Sequence, residues 1–182
     1  MAHIKLPEGL PGIIGPLMAY RDTEVHLDGL ANTLMVSDRS LTKAERELIA
    51  TYVSYGNKCY FCTNSHAAVA RSLLSENRGL VDEILRDLNS APVDDKLRAL
   101  LVIADKVRRD GRLVTDADVA AARDAGADDQ AIHDTVLIAA MFCMFNRYVD
   151  GLATLTPKDP KVYEEIGARI ASKGYGSRFR QA

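Results

Sequence analysis

Residues 41–66 read LTKAERELIATYVSYGNKCYFCTNSH and contain both the helical signals that decide the fold and the most reactive side chains of the chain. Thr42 and Glu45 have the spacing of a helix-capping box, and apolar residues recur behind them at helical intervals. The pattern then stops, and Asn57 can cap a second helix that we expect to run from Lys58 to about Glu76. The stretch therefore predicts two consecutive helices joined by a tight turn.

Helical signals recur outward from this stretch in both directions. Helices are expected at about 22–36, 42–56, 58–76, 80–89, 92–110, 115–126, 128–152 and 159–172. No useful run alternates with the period of two that marks a strand, so the predicted fold is all-α, a multihelical bundle. Residues 41–55 and 127–145 share a polar start followed by an apolar helix, which indicates a weak internal duplication.

The size of the chain fits one domain over its 182 residues. We assign an N-terminal arm to residues 1–20, which are rich in proline and glycine at their beginning, a core to 41–152, and a frayed tail to 175–182.

The composition excludes several classes of partner. A net charge of −2 gives no field that would recruit nucleic acid. The longest apolar run, residues 136–145, has about half the length of a membrane-spanning helix, and the first twenty residues do not resemble a signal peptide. Three cysteines, an odd number, without an export signal predict a reducing, cytoplasmic location.

Cys59, Cys62 and His66 form the candidate site. On a helix they fall at about 0°, −60° and −20° around the axis, on one narrow face. The Cα atoms of residues i and i+3 lie about 5 Å apart, within the range that a disulfide tolerates. A helix N-terminus and the neighbouring Lys58 favour thiolate, so we expect a redox-active dithiol in which either sulfur can be the thiolate.

Glu47 is the candidate base of the site. It shares a stripe of the preceding helix with the small residues Ala50 and Ser54, which allow a second helix to approach closely. A glutamate held there near the thiols would act as a base or orient His66.

The residues leave three functions open. A dithiol peroxidase uses the pair catalytically, whereas a disulfide reductase or redox sensor uses it without peroxide turnover. A zinc-stabilised helical scaffold would take Cys59, Cys62, His66 and Glu47 as ligands, but structural zinc prefers loop-borne cysteines and a second ligand pair. We therefore expect no cofactor and no metal.

The pattern Glu47–x11–Cys59–x2–Cys62–x3–His66 resembles the signature of alkylhydroperoxidase D-like proteins in the carboxymuconolactone decarboxylase superfamily. The resemblance runs from about Leu41 to Leu152 and is closest to the peroxidase-related branch. Members that decarboxylate a muconolactone generally lack the cysteine pair.

This resemblance implies a homo-oligomer, a trimer or hexamer, that reduces small hydroperoxides with electrons from a dithiol such as a lipoylated protein. It implies that Cys62 is the peroxidatic thiol, that Cys59 is the resolving thiol and proton donor, and that Glu47 and His66 relay protons. The best-characterised relatives carry a histidine where this chain has Phe61. At about 200° around the helix Phe61 should point away from the thiols, so we expect the relay to survive.

Overall fold

A computed structural model describes residues 1–175, and its regular elements there are α-helices with two short 3-10 turns. No strand occurs among these residues, so the all-α prediction is confirmed. The helices are α1 Ile14–Ala19, α2 Arg21–Met35, α3 Lys43–Gly56, α4 Tyr60–Leu74, α5 Leu80–Arg86, α6 Asp95–Arg109, α7 Asp116–Asp124, α8 Asp129–Gly151 and α9 Pro160–Lys173.

Polar side chains begin most of the longer helices, as their spacing in the sequence predicts. Thr42 forms a capping box with Glu45, and Thr115 forms the second box at the start of α7. Asp128 caps α8 by accepting from the amide of Ala131 at 2.7 Å. These caps satisfy amides that have no partner inside the helix, which fixes where each helix starts.

The core lies where α3 packs against α4, α6 and α8. Ile49, Ala50 and Val53 on α3 are fully buried, as are Leu100 on α6 and Ile138 on α8. This packing surrounds α3 on several sides and holds its polar residues at fixed positions against neighbouring helices.

Helix α9 packs closely along α4, and a glycine permits the approach. A Cβ added at Gly167 would lie 2.6 Å from the carbonyl carbon of Ala68, closer than such atoms can come. The C-terminal helix is therefore held against the helix that begins beside the two thiols.

The two end segments assigned from the sequence are only partly described by the structure or contain a further element. The segment assigned as the N-terminal arm contains the short helix α1 from Ile14 to Ala19. Pro16 is accommodated in its first turn, where the missing N–H has no helical partner to lose. Of the predicted frayed tail, residues 176–182 lie outside the described part, whereas Tyr175 is described. No helix within residues 1–175 is both long enough and apolar enough to cross a membrane.

Candidate active site

A tight turn between α3 and α4 sets the position of Cys59. Lys58 has a left-handed backbone with φ of 61°, and Cys59 is extended and occupies the N-cap of α4. The prediction that Asn57 caps a helix from Lys58 is wrong. Asn57 is instead the C-cap of α3, with a helical backbone, and its side-chain amide donates to Asn146 Oδ1 at 2.9 Å.

Cys59 and Cys62 are free, buried thiols, and a hydrogen bond joins their side chains. The hydrogen bond from the Cys59 thiol lowers the pKa of Cys62, as do the charge of His66 and a hydrogen bond from Asn146, while burial opposes them. The same hydrogen bond, together with burial, raises the pKa of Cys59 far above its usual range. Cys62 is thus the sulfur that ionises first, and Cys59 retains its proton.

His66 and Glu47 form a buried pair beside the thiols. His66 Nδ1 lies 2.8 Å from Glu47 Oε2, and both residues are less than one-tenth exposed. Helix α3 therefore brings Glu47 against the helix that carries the cysteines. The close approach of α3 and α4 that was inferred from the small residues near Glu47 is present.

Tyr175 is the third member of this group. Its hydroxyl donates to Glu47 Oε1 and lies 3.1 Å from His66 Nδ1, and its ring stacks on the imidazole with centroids 6.0 Å apart. Burial, followed by the nearby Glu47 charge, raises the pKa of Tyr175 well above its ordinary value. The phenol therefore stays protonated and acts as a donor.

These contacts select one tautomer of His66. A carboxylate accepts and does not donate, so the contact between Nδ1 and Glu47 requires that Nδ1 carries the proton in the neutral ring. Nε2 is then the unprotonated nitrogen. Because His66 and Cys62 line the same cavity, Nε2 is the atom able to take a proton from a group there.

Asn146 connects α8 to the site from the opposite side. It is 1% exposed and donates to Ser54 Oγ at 3.0 Å. Its hydrogen bond with Cys62 favours the thiolate. The sequence did not reveal this role, because helical spacing does not show which buried amide faces a sulfur on another helix.

An apolar cavity opens onto Cys62. The space available to the centre of a water molecule is about 100 Å³. Its walls come from the arm, α1, α2, α4, α8 and α9, and among its apolar lining residues are Ile14, Leu17, Phe142, Ile166 and Ile170. Cys62, Ser65, His66 and Tyr175 supply polar atoms, and the charged residues Asp28 and Arg169 also line the cavity. The cavity can therefore hold a small, largely apolar molecule with a polar group next to a reactive sulfur.

Phe61 does not point wholly away from the site as expected. Its ring is 5% exposed, packs with Cys59 and Cys62 in one apolar cluster, and lines the cavity. A Cβ at Gly12 would lie 2.0 Å from this ring, so the glycine lets the N-terminal arm cover it. Phe61 therefore forms part of the wall, where the characterised relatives have a histidine.

No group of three or more His, Cys, Asp or Glu side chains within residues 1–175 is arranged to hold a metal. His66 Nδ1 and both Glu47 oxygens are directed to each other and to Tyr175. The four candidate residues are thus neighbours, but the zinc alternative has no ligand geometry in its favour.

Comparison with known proteins places the chain among peroxidase-related sequences. Residues 26–106 match the sequence profile of the carboxymuconolactone decarboxylase family. A crystal structure of an alkylhydroperoxidase AhpD core, an uncharacterized peroxidase-related protein from Ralstonia eutropha JMP134, is 28% identical with a TM-score of 0.77, over 87% of this chain and 82% of that one. An uncharacterized peroxidase-related protein from Silicibacter sp. TM1040 is 30% identical with a TM-score of 0.74, over 82% and 78%. No curated protein matches the chain.

Proposed function

The chain belongs to the carboxymuconolactone decarboxylase family, in its alkylhydroperoxidase D-like, peroxidase-related branch, and from this premise we propose that it is a dithiol peroxidase. Its substrates are small hydroperoxides, mainly organic ones, and an external dithiol regenerates it. Family membership alone does not choose between peroxide reduction and decarboxylation. The paired thiols support reduction.

One observation carries the proposal: two adjacent thiols have pKa values shifted in opposite directions, and Cys62, whose pKa is lowered, lines a cavity, whereas Cys59 is buried behind it. Peroxide reduction by a dithiol needs a thiolate to attack and a second thiol to protonate and then resolve. Cys62 fits the first role and Cys59 fits the second. The apolar walls of the cavity favour an organic substituent on the peroxide.

The side chains of the site supply and accept every proton that the proposed catalytic cycle requires. His66 Nε2 takes the proton of Cys62, and the thiolate attacks the terminal peroxide oxygen. The O–O bond breaks, an S–O bond forms, and the leaving alkoxide takes the proton of Cys59. Cys59 thiolate then attacks the Cys62 sulfenic acid to form the disulfide, and the proton on His66 leaves with the hydroxide as water.

Glu47 and Tyr175 act through His66 in this scheme. Glu47 holds Nδ1–H, which keeps Nε2 basic and stabilises the imidazolium after it takes a proton. Tyr175 holds the second oxygen of Glu47 and so fixes the carboxylate. Both are positioning residues for the transfer from Cys62.

The remaining steps involve partners outside the chain. An external dithiol, such as dihydrolipoamide on a lipoylated protein, reduces the disulfide by exchange. The reducing cytoplasm is the compartment in which such a reductant is maintained, and a homo-oligomer is the assembly expected from the family resemblance.

The direct test measures peroxide consumption by the purified protein with dihydrolipoamide and cumene hydroperoxide. We expect turnover in the wild type, loss in Cys62→Ser, and slower turnover in Glu47→Gln. Cys143→Ser removes a thiol outside the site and should retain full activity.

The same assay separates the alternatives. Reversible Cys59–Cys62 oxidation by a disulfide, without consumption of any peroxide, would replace the proposal with a disulfide reductase or sensor. Stoichiometric zinc bound to the purified protein and lost in Cys62→Ser would replace it with a metal-stabilised scaffold.

A further inference from the structure

Ser65 has a buried hydroxyl that no group in residues 1–175 satisfies. The residue is 3% exposed, and its Oγ is the one buried side-chain nitrogen or oxygen in that range without a hydrogen-bond partner. Buried polar groups in folded proteins nearly always have partners, and one that lacks a partner calls for an explanation.

Other helical hydroxyls of the molecule behave differently. Thr63 and Ser72 on the same helix donate to the carbonyl four residues back, at 2.8 and 2.9 Å. Thr51 on α3 and Thr135 on α8 do the same. This local bond is the usual choice for a buried serine or threonine in a helix. Ser65 does not form it.

Ser65 lies beside the reactive sulfur of Cys62. It lies three residues after Cys62 and directly before His66, and all three line the cavity. Residues three apart on a helix share a face, so the hydroxyl lies one turn from the sulfur that ionises. The Oγ atom itself is buried, so a rotation about the Cα–Cβ bond would turn the hydroxyl toward a molecule held beside Cys62.

We propose that Ser65 Oγ binds the peroxide group of the substrate and orients it for attack by Cys62. The inference rests on the proposed function and adds a substrate-binding residue to it. Ser65 donates to the peroxide oxygen that bears the organic group. The hydroxyl thus meets the oxygen on which negative charge develops as the O–O bond breaks.

Ser65 keeps its own proton throughout. The S–O bond forms at the terminal oxygen, and the alkoxide is protonated by the Cys59 thiol as above. The hydrogen bond lowers the activation barrier electrostatically. A donor held beside the substrate in an apolar cavity stabilises the negative charge of the transition state more than it stabilises the ground state.

This assignment divides recognition between two parts of the cavity. The serine binds the O–O group, which hydrogen peroxide and organic hydroperoxides share. The walls contributed by Ile14, Leu17 and Ile170 contact only an organic substituent. Loss of the hydroxyl should therefore slow both kinds of peroxide alike, whereas loss of a wall residue should slow the organic kind.

The test uses single-turnover oxidation of the reduced full-length protein by cumene hydroperoxide and by hydrogen peroxide. We expect Ser65→Ala to lower the second-order rate constant about tenfold for both, the loss of roughly one hydrogen bond to the reacting group. Ser72→Ala, the matched control on the same helix, should react at the wild-type rate, and Ser65→Thr, which keeps the hydroxyl, should recover most of it.

Two further readouts exclude a merely structural role. The pH dependence of Cys62 alkylation by iodoacetamide should not change in Ser65→Ala, because the thiolate itself is intact. The melting temperature should be equal to or above that of the wild type, because the substitution removes an unsatisfied buried hydroxyl.

The outcomes distinguish a failure of the proposed role of Ser65 from a failure of the peroxidase proposal. Wild-type oxidation rates in Ser65→Ala, or a rate loss matched by an equal loss of alkylation, overturn the role of Ser65 and leave the peroxidase proposal intact. A wild-type protein that consumes neither peroxide ends both.

Discussion

At the scale of single residues, one hydrogen bond makes two cysteines chemically different. Cys59 sits at the extended N-cap of α4 and Cys62 in its first turn, and the thiol of the former stabilises the thiolate of the latter. Neither burial nor the helix dipole alone would give the two thiols different pKa values, because both cysteines are buried at the same helix end. The asymmetry depends on which sulfur donates.

Replacing Cys59 tests that asymmetry directly. Cys59→Ala removes the donor, so the thiolate of Cys62 loses stabilisation and the pKa of Cys62 should rise. Cys59→Ser retains a hydroxyl donor and should raise the pKa of Cys62 less. The pH dependence of Cys62 alkylation, followed by mass spectrometry of the Cys62 peptide, measures both. Equal profiles in the two variants would contradict the hydrogen-bond explanation.

Tyr175→Phe tests the third member of the Glu47–His66 pair. It keeps the ring stacked on His66 but leaves Glu47 Oε1 without its donor, so we expect slower Cys62 oxidation and an unfolding free energy lower by about 1–3 kcal/mol. Tyr55→Phe is the control, because Tyr55 is 52% exposed and does not line the cavity. Urea unfolding and single-turnover kinetics report the two effects; a comparable rate loss in both variants would argue against a specific role.

The sequence predicted some of these residues and could not predict others. Glu47, Cys59, Cys62 and His66 lie within twenty residues of each other on two adjoining helices, so spacing and family resemblance were enough to group them. Tyr175 reaches Glu47 across 128 positions, and no local pattern encodes that contact.

At the scale of helices, the bounds were predictable where a side chain caps the end. Thr42, Thr115, Asp128 and Asp159 each satisfy a backbone amide, and each corresponding helix begins at or beside the predicted residue. The start of α4 was not predictable from capping preference. It depends on a left-handed residue at Lys58 and on the contact of the preceding asparagine with α8.

Gly167→Ala tests the packing of α9 on α4. The added methyl would collide with the Ala68 backbone, so we expect the unfolding free energy to fall by about 1–3 kcal/mol. Ile166 and Ile170 on α9 line the cavity, and cumene hydroperoxide should therefore react more slowly as well. Gly29→Ala is the matched control, because its added methyl meets nothing within 4 Å and should leave stability unchanged or slightly higher. Equal stability of the two variants in urea would refute the close-packing argument.

At the scale of the whole molecule, an ion pair ties distant parts of the chain together. Arg39, between α2 and α3, donates to both carboxylate oxygens of the buried Asp134 on α8, at 2.5 and 2.6 Å. Burial alone would raise the pKa of Asp134, but the hydrogen bonds from Arg39, His133 and Gln130 outweigh it and hold the pKa below its ordinary 3.8. The pair fixes the segment before α3 against the helix that carries Asn146.

Arg39→Met should lower the unfolding free energy at pH 7 by about 1–3 kcal/mol, less than a fully buried pair because Arg39 is partly exposed. The stability from a lowered carboxyl pKa is complete above the ordinary value of 3.8 and is lost as pH falls through the lower folded value, so wild type and variant should converge in acid. Urea titrations from pH 7 to about 2, which extend below the ordinary pKa of 3.8, measure this. The control is Arg123→Met in the exposed Arg123–Asp129 pair, which should change the unfolding free energy by less than about 0.5 kcal/mol. A difference in unfolding free energy between wild type and Arg39→Met that stays the same at every pH would contradict the dependence on Asp134 protonation.

The long separation between Tyr175 and His66 also affects how the protein is made. The two lie 109 positions apart, so at about 5–20 residues per second a ribosome needs roughly 5–20 s to add the tyrosine after the histidine. During that interval the growing polypeptide already holds both sulfurs, while the phenol that anchors Glu47 has yet to be synthesised. In the proposed mechanism, full reactivity of the dithiol is therefore acquired only after residue 175 has been added.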